Sequence, residues 1–174
     1  MELQMLSGGT KISTVSASAE RELENLINAH GTAVLKYCHS ILMDYYEAQD
    51  VVQSVYTTAL TALRRGKEIN SSWLYKAGYN LCIDILRRKK LQRIFSITKE
   101  EPAYTENYFI GEEVNTILQK LPPKDRALVY SRAVECKSFE ELQQIYGKKA
   151  ATLRKRYERA KKKLAEELEQ GGDL

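Results

Sequence analysis

Apolar residues recur along this chain at intervals of three and four, and the strict alternation of a strand is almost absent. The spacing predicts a first helix from about Ala19, with Leu23, Leu26 and Ile27 on one face and an interruption at Gly31. A second follows, striped by Val34, Leu35, Cys38, Ile41 and Leu42. A third runs from about Tyr46 to Leu63. Its Ala48, Val51, Val52, Val55, Tyr56, Ala59, Leu60 and Leu63 keep the i, i+3, i+4, i+7 spacing of an amphipathic helix. Polar residues around Gly66 predict a loop from Arg64 to Asn70. Ser71 or Ser72 then caps a fourth helix by accepting an otherwise unpaired backbone N–H. Trp73, Leu74, Ala77, Leu81, Ile85 and Leu86 are its apolar positions. It ends in a basic cluster, which suits the negative end of the helix dipole.

The periodicity lapses from Leu91 to Gly111, a stretch that contains Pro102. It exceeds the usual connection inside a compact domain and so predicts a boundary. Beyond it, Val114, Ile117, Leu118 and Leu121 mark a helix that Pro122 and Pro123 break. Pro123 suits the first turn of the next helix, which reaches about Val134. Ser138 and Glu141 have capping-box spacing, ahead of an inward face of Phe139, Leu142 and Ile145. Gly147 stands where a helix end wants a positive φ. The last helix starts near Ala150, with Leu153, Tyr157, Ala160, Leu164 and Leu168 as its buried stripe. The expected fold is all-α, with two small helical domains joined by a flexible linker. The expected divisions are a flexible N-terminus over 1–18, a first domain over 19–92, a linker over 93–111 and a second domain over 112–170.

Length and charge sharpen this picture. With 174 residues, two lobes would each sit near the lower limit of independent stability. The net charge of +4 says less than its placement. Arg87, Arg88, Lys89, Lys90 and Arg93 form one basic cluster. A second runs from Lys148 to Lys163. Between them the chain turns acidic at Glu100, Glu101, Glu106, Glu112 and Glu113. Two basic patches suggest two places that meet phosphate. No stretch approaches a membrane span, and Met1 to Ala19 lacks the apolar core of a secretory signal. Cys38, Cys82 and Cys136 match no zinc spacing, and read as buried thiols of a reduced cytoplasmic chain. There is no Gly-rich phosphate loop or metal cluster, and His30 and His39 suggest no nucleophilic triad. Neither an enzyme nor a cofactor is expected.

The segment from Ser138 to Lys163 has the organisation of a helix-turn-helix, whose second helix enters the DNA major groove. At about 100° per residue, its apolar stripe leaves Ala151, Arg154, Lys155, Glu158, Arg159 and Lys162 outward. Arg and Lys can read guanine edges, and a carboxylate can accept from cytosine N4. A solvated basic helix, or one lying on a membrane or a partner, has the same pattern.

These residues resemble a known family. Leu121-Pro122-Pro123-Lys124-Asp125-Arg126, Ser138-Phe139-Glu140-Glu141-Leu142, Gly147, Thr152-Leu153-Arg154-Lys155-Arg156, Arg159-Ala160 and Leu164 resemble region 4 of the extracytoplasmic-function sigma factors of RNA polymerase. Glu47-Ala48-Gln49-Asp50-Val51-Val52-Gln53, with Trp73-Leu74, Asn80, Asp84 and Arg87-Arg88, resembles region 2. The likeness runs from about Leu23 to Leu168, in order and at family spacing. It implies a region 2 bundle and a region 4 helix-turn-helix that bring core polymerase to promoters. Asp50 and Gln53 are then candidates for contact with the polymerase β′ subunit, and the β subunit is a further partner of the family. Asn80, Asp84, Arg87, Arg88, Lys89 and Lys90 are candidates for the −10 element, and Thr152 with the outward residues of the last helix for −35. The Arg64 to Asn70 loop would hold an extruded base, and the acidic linker would thread the channel later used by RNA. Asp84 can equally pair with Arg87 or Arg88 at helical spacing, and a Trp at the position of Trp73 is more often core than a stacking platform. Family members are often held by an anti-sigma factor, though the sequence identifies none.

Three positions depart from the family pattern. Gln143 replaces a small Ala at the helix crossing, Tyr146 replaces Leu, and Lys148 replaces an apolar turn residue. A larger side chain at a close crossing tends to shift the helix pair. Two other functions fit the residues. One is a stand-alone helix-turn-helix regulator whose N-terminal lobe dimerises. The other is a helical adaptor whose basic helix docks on an acidic protein.

Overall fold

The computed structural model describes residues 8–95 and 111–170. Among the described residues seven α-helices follow in order: α1 (Gly8–Leu42), α2 (Tyr45–Arg64), α3 (Ser71–Phe95), α4 (Glu112–Gln119), α5 (Pro123–Val129), α6 (Phe139–Tyr146) and α7 (Ala150–Gln170). A π-turn over Tyr130–Val134 continues α5. No strand occurs among the described residues, in keeping with the all-α expectation.

The two helices expected on either side of Gly31 are one. A Cβ at Gly31 would meet only ordinary contacts, 3.6 Å from Ile27 and from the Tyr56 hydroxyl, so α1 runs on through it. Helix α1 begins at Gly8, well before the expected start at Ala19, and Ala19 itself is buried. The cap of α3 also differs from expectation. Asn70, not Ser71 or Ser72, accepts the N–H of Trp73, at 2.9 Å. Helix α3 runs on to Phe95, into the stretch expected to be linker. Glu100, Glu101 and Glu106 of the expected acidic linker lie outside the described residues.

Helices α1, α2 and α3 pack on one another around Val34, Cys38, Ile41, Val51, Val55, Ala59, Leu74 and Cys82, all buried. The α1–α3 crossing is close. A Cβ on Gly78 would stand 2.9 Å from the Cys38 sulfur, tighter than real side chains allow. Cys38 and Cys82 are the buried thiols expected, but Cys136 is exposed, at a left-handed φ of 56°. In the second half, α5 and α6 both pack on α7 through Leu128, Leu142, Ile145, Leu153 and Ala160. Leu164 closes that stripe at 9% exposure, whereas Leu168, expected to be buried, is 49% exposed, so the buried stripe ends one turn earlier than expected.

Candidate nucleic-acid interface

The helix-turn-helix is assembled from local signals. Ser138 accepts the N–H of Glu141 at 3.1 Å, and the Glu141 carboxylate accepts the N–H of Ser138 at 2.7 Å. These two bonds hold the Glu141 carboxyl below the usual carboxylate range. Gly147, at φ 61°, ends α6 with its N–H on the Gln143 carbonyl. The Gln143 side chain then reaches over the turn and accepts the N–H of Ala150, 3.1 Å away. The first turn of α7 thus gains a partner that the family's small residue could not supply. Arg156 binds Asp125, fastening α7 to α5.

Burial of Leu153, Ala160 and Leu164 sets the rotation of α7. Ala151, Thr152, Arg154, Lys155, Glu158, Arg159 and Lys162 are all exposed, as expected. The Arg154 guanidinium stacks over the Phe139 ring at 5.0 Å, and Arg132 lies over the same ring at 5.2 Å. Such contacts pre-orient an Arg without neutralising it. Glu158 faces Lys161 at 3.5 Å, and Lys162 faces Glu166 at 3.8 Å. Arg126 is half-buried, and burial lowers its guanidinium to about 10.

The second group of candidates lies on α3. Asn80, Asp84, Arg87, Arg88 and Lys90 are exposed. Asp84 pairs with Arg87 at 3.0 Å across a solvated turn. Lys89 instead turns inward to Glu47 at 2.6 Å, tying α3 to the start of α2. Asp50 and Gln53 are exposed on α2. Their stretch of α2 carries a feature that hydrophobic patterning passes over. Ser54, Thr57, Thr58 and Thr61 each donate to the carbonyl four residues back, at 2.8–3.0 Å. Hydroxyls bonded in this way bend a helix slightly. Thr57, Thr58 and Thr61, with Arg65, Lys67 and Trp73, line a recess of about 330 Å³ beside the loop from Arg64 to Asn70. Trp73 is half-buried, so one part of its ring is packed while the rest faces this recess. Arg64, at the rim of the loop, is held 2.7 Å from Glu20 of α1.

The two histidines differ. His39 is wholly buried, and burial lowers its imidazole; His30 is half-buried. No cluster of metal-ligating side chains occurs among the described residues. No helix of the described residues is long and apolar enough to cross a membrane.

Comparison with known proteins matches both halves. The family model of Sigma-70 region 2 matches residues 26–92, and that of Sigma-70, region 4 matches residues 111–164. The ECF RNA polymerase sigma factor SigE of Mycolicibacterium smegmatis is 24% identical over 156 residues, covering 83% of this chain and 61% of that protein. The ECF RNA polymerase sigma factor SigW of Bacillus subtilis is 24% identical over 178 residues, covering 91% of this chain and 95% of that one. Among solved structures, CnrH in complex with the cytosolic domain of CnrY is 22% identical with a TM-score of 0.65, covering 91% of this chain and 95% of that one.

Proposed function

The chain belongs to the sigma-70 family, in its extracytoplasmic-function branch, and on that premise we propose that it is an alternative sigma factor that directs core RNA polymerase to its promoters. The observation that carries this reading is the exposed face of α7. Ala151, Thr152, Arg154, Lys155, Glu158, Arg159 and Lys162 point outward over a helix rotation set by buried Leu153, Ala160 and Leu164.

The division of labour follows the two halves. Region 2, over 19–92, takes the −10 element through Asn80, Asp84, Arg87, Arg88, Lys89 and Lys90, and the polymerase through Asp50 and Gln53. Region 4, over 112–170, takes −35 through Ala151, Thr152, Arg154, Lys155, Glu158, Arg159 and Lys162. The pairing of Lys89 with Glu47 makes it the least available of the basic cluster. The Thr57–Trp73 recess suits a base lifted from the non-template strand. It offers hydroxyls for edges, an indole for stacking, and Arg65 and Lys67 for phosphate. The chemistry of RNA synthesis belongs to the polymerase, and this chain contributes positioning alone. Joint engagement of two elements raises affinity through effective concentration. An anti-sigma factor is a further partner on this reading, supported by the related CnrH being seen with a cytosolic protein domain. The working compartment is the cytoplasm.

Run-off transcription with purified bacterial core polymerase on genomic fragments tests the reading. Initiation that depends on this chain is the expected result. Tight, palindrome-directed DNA binding without polymerase, and no initiation, would replace it with a stand-alone regulator.

A further inference from the structure

The last turns of α3 stand clear of its neighbours. Lys89 pairs with Glu47 at the start of α2, and from Leu91 to Phe95 every residue is exposed. Three of these are apolar: Leu91 is 49% exposed, Ile94 66% and Phe95 83%. A single exposed leucine needs no explanation, but three apolar neighbours at i, i+3 and i+4 form a stripe. At about 100° per residue, exposed Asn80, Asp84, Arg87, Leu91, Ile94 and Phe95 fall within an arc of about 100°. Buried Leu74, Tyr75, Gly78 and Cys82 lie on the opposite side, as does the inward Lys89. Packing therefore fixes which way the stripe faces. It begins polar and ends apolar, with Arg88 and Lys90 along its two flanks. Of the basic cluster, Arg87 and Lys89 alone have a carboxylate partner among the described residues.

We propose that the tip of α3 reads thymine methyl groups in the paired duplex at the upstream edge of the −10 element, with Leu91 and Phe95 as the contacting side chains. The proposal rests on the sigma-factor reading above and adds a specificity that the polar residues of α3 do not supply. Direction follows from the two ends of the helix. The recess beside Trp73 suits an unpaired base. Phe95 lies ~33 Å along the axis from Trp73, so it meets duplex that is still closed. From Arg87 to Phe95 is ~12 Å, the rise of about three base pairs.

Chemistry selects the ligand. The major groove admits an α-helix, and there thymine presents an apolar group, its C5 methyl. Leucine and phenylalanine at the end of a stripe that starts with Asn80 can cover that methyl. Arg88 and Lys90 on the flanks then meet phosphates, which set register without reading sequence. Burying the methyl against the ring removes apolar surface from water, whatever the charge nearby. An anionic lipid surface also accepts a basic helix end that carries apolar side chains. It would have no use for Asn80 and Asp84 on the same stripe, which favours DNA.

Removing the methyl alone tests this. A promoter recovered by run-off transcription is prepared with the four base pairs upstream of its −10 element set to alternating A·T and T·A. A second copy carries deoxyuridine for thymidine at those positions. Holoenzyme formed from core polymerase and the full chain is expected to bind the thymine fragment about fourfold more tightly for each methyl covered, the worth of one carbon group taken from water. Holoenzyme with Leu91→Gln and Phe95→Gln should bind both fragments alike, near the affinity of the parent for the uracil fragment. Equal affinity of the parent for the two fragments would overturn the proposal, as would a variant that keeps the preference. Should the parent show no preference yet bind phosphatidylglycerol vesicles that the variant does not, the tip belongs to a lipid surface instead. Initiation by the parent on the thymine fragment separates the two readings. With initiation and no preference for thymine, the sigma reading stands and this proposal alone falls. With neither initiation nor promoter binding, both fall.

Discussion

Tyr75 donates its hydroxyl to Glu135 across 2.6 Å, joining residues 60 positions apart in the chain. The carboxylate also faces Lys137 at 3.7 Å and lies in the field of Tyr130. Burial raises the Tyr75 hydroxyl, with Glu135 adding to the effect, so the phenol stays protonated as the donor. Tyr75→Phe removes that donor and leaves Glu135 buried beside it. The expected cost is ~1–3 kcal/mol of stability. Helix content by circular dichroism at room temperature should not change, while the thermal midpoint should fall. An unchanged midpoint would contradict the role given to this contact.

Burial pushes the Glu135 carboxyl above its ordinary value, against the opposing pulls of Tyr75 and Lys137. The folded chain therefore holds a proton at Glu135 more readily than the unfolded chain, in which the carboxyl is solvated. The stability this group contributes is fully present below the ordinary carboxylate range and is lost as pH rises through the raised value. Acidification from neutrality should raise the thermal midpoint of the parent more than that of Glu135→Gln, which lacks the titrating group. A parent midpoint that falls relative to the variant on acidification would show that the Lys137 and Tyr75 contacts dominate instead.

Arg154 is held over Phe139 before any DNA arrives. Arg154→Ala is expected to cost ~1–3 kcal/mol of promoter affinity and to relax the choice of one base pair in the −35 element. Lys162→Ala should weaken all sequences alike and reduce the salt slope by about 1. Binding isotherms at several salt concentrations check both. A sequence-independent loss at Arg154 would make it a phosphate contact.

Gln143→Ala restores the family's usual small residue but removes the acceptor of the Ala150 N–H. The expected cost is ~0.5–1.5 kcal/mol, read as a lower thermal midpoint, with Gln143→Glu close to the parent. An unchanged midpoint in the alanine variant would show that water caps α7 equally well.

Trp73→Ala should slow promoter melting while leaving polymerase binding intact. Base–aromatic stacking is worth ~1–3 kcal/mol, so a loss of about fivefold or more is expected. Permanganate reactivity of the −10 thymines, set beside a core-binding titration, separates the two steps. A parallel loss of both would make Trp73 a packing residue.

Most of the fold was legible because local signals agreed with one another. Ser138 with Glu141, Gly147, Pro123 and the stripe from Leu153 to Leu164 each announce a helix end or a buried face. Gly31 misled, because glycine weakens a helix by only about 1 kcal/mol and α1 has partners along its length to offset that. Asn70 was passed over as a cap in favour of the two serines after it, a register ambiguity that only the backbone resolves. The exposed α7 face followed from periodicity. The Thr57–Trp73 recess did not, since a hydroxyl row at helical spacing is invisible to a count of apolar residues. Tyr37, Tyr75, Tyr146 and Glu135 were beyond reach for a different reason. Their meeting joins distant parts of the chain, and no spacing rule couples such positions.

Gly78 makes α1 and α3 a keyed joint. The Cys38 sulfur lies 2.9 Å from where a Cβ would stand, so α3 comes this near to α1 only because residue 78 has no side chain. Helix α3 has 25 residues and is ~37 Å long, and the joint falls near its first third. Tyr75 lies on one side of it and Arg87 on the other. A single added methyl there would have to displace the sulfur or the helix, so one atom at the joint bears on both the Tyr75–Glu135 contact and the aim of the basic cluster.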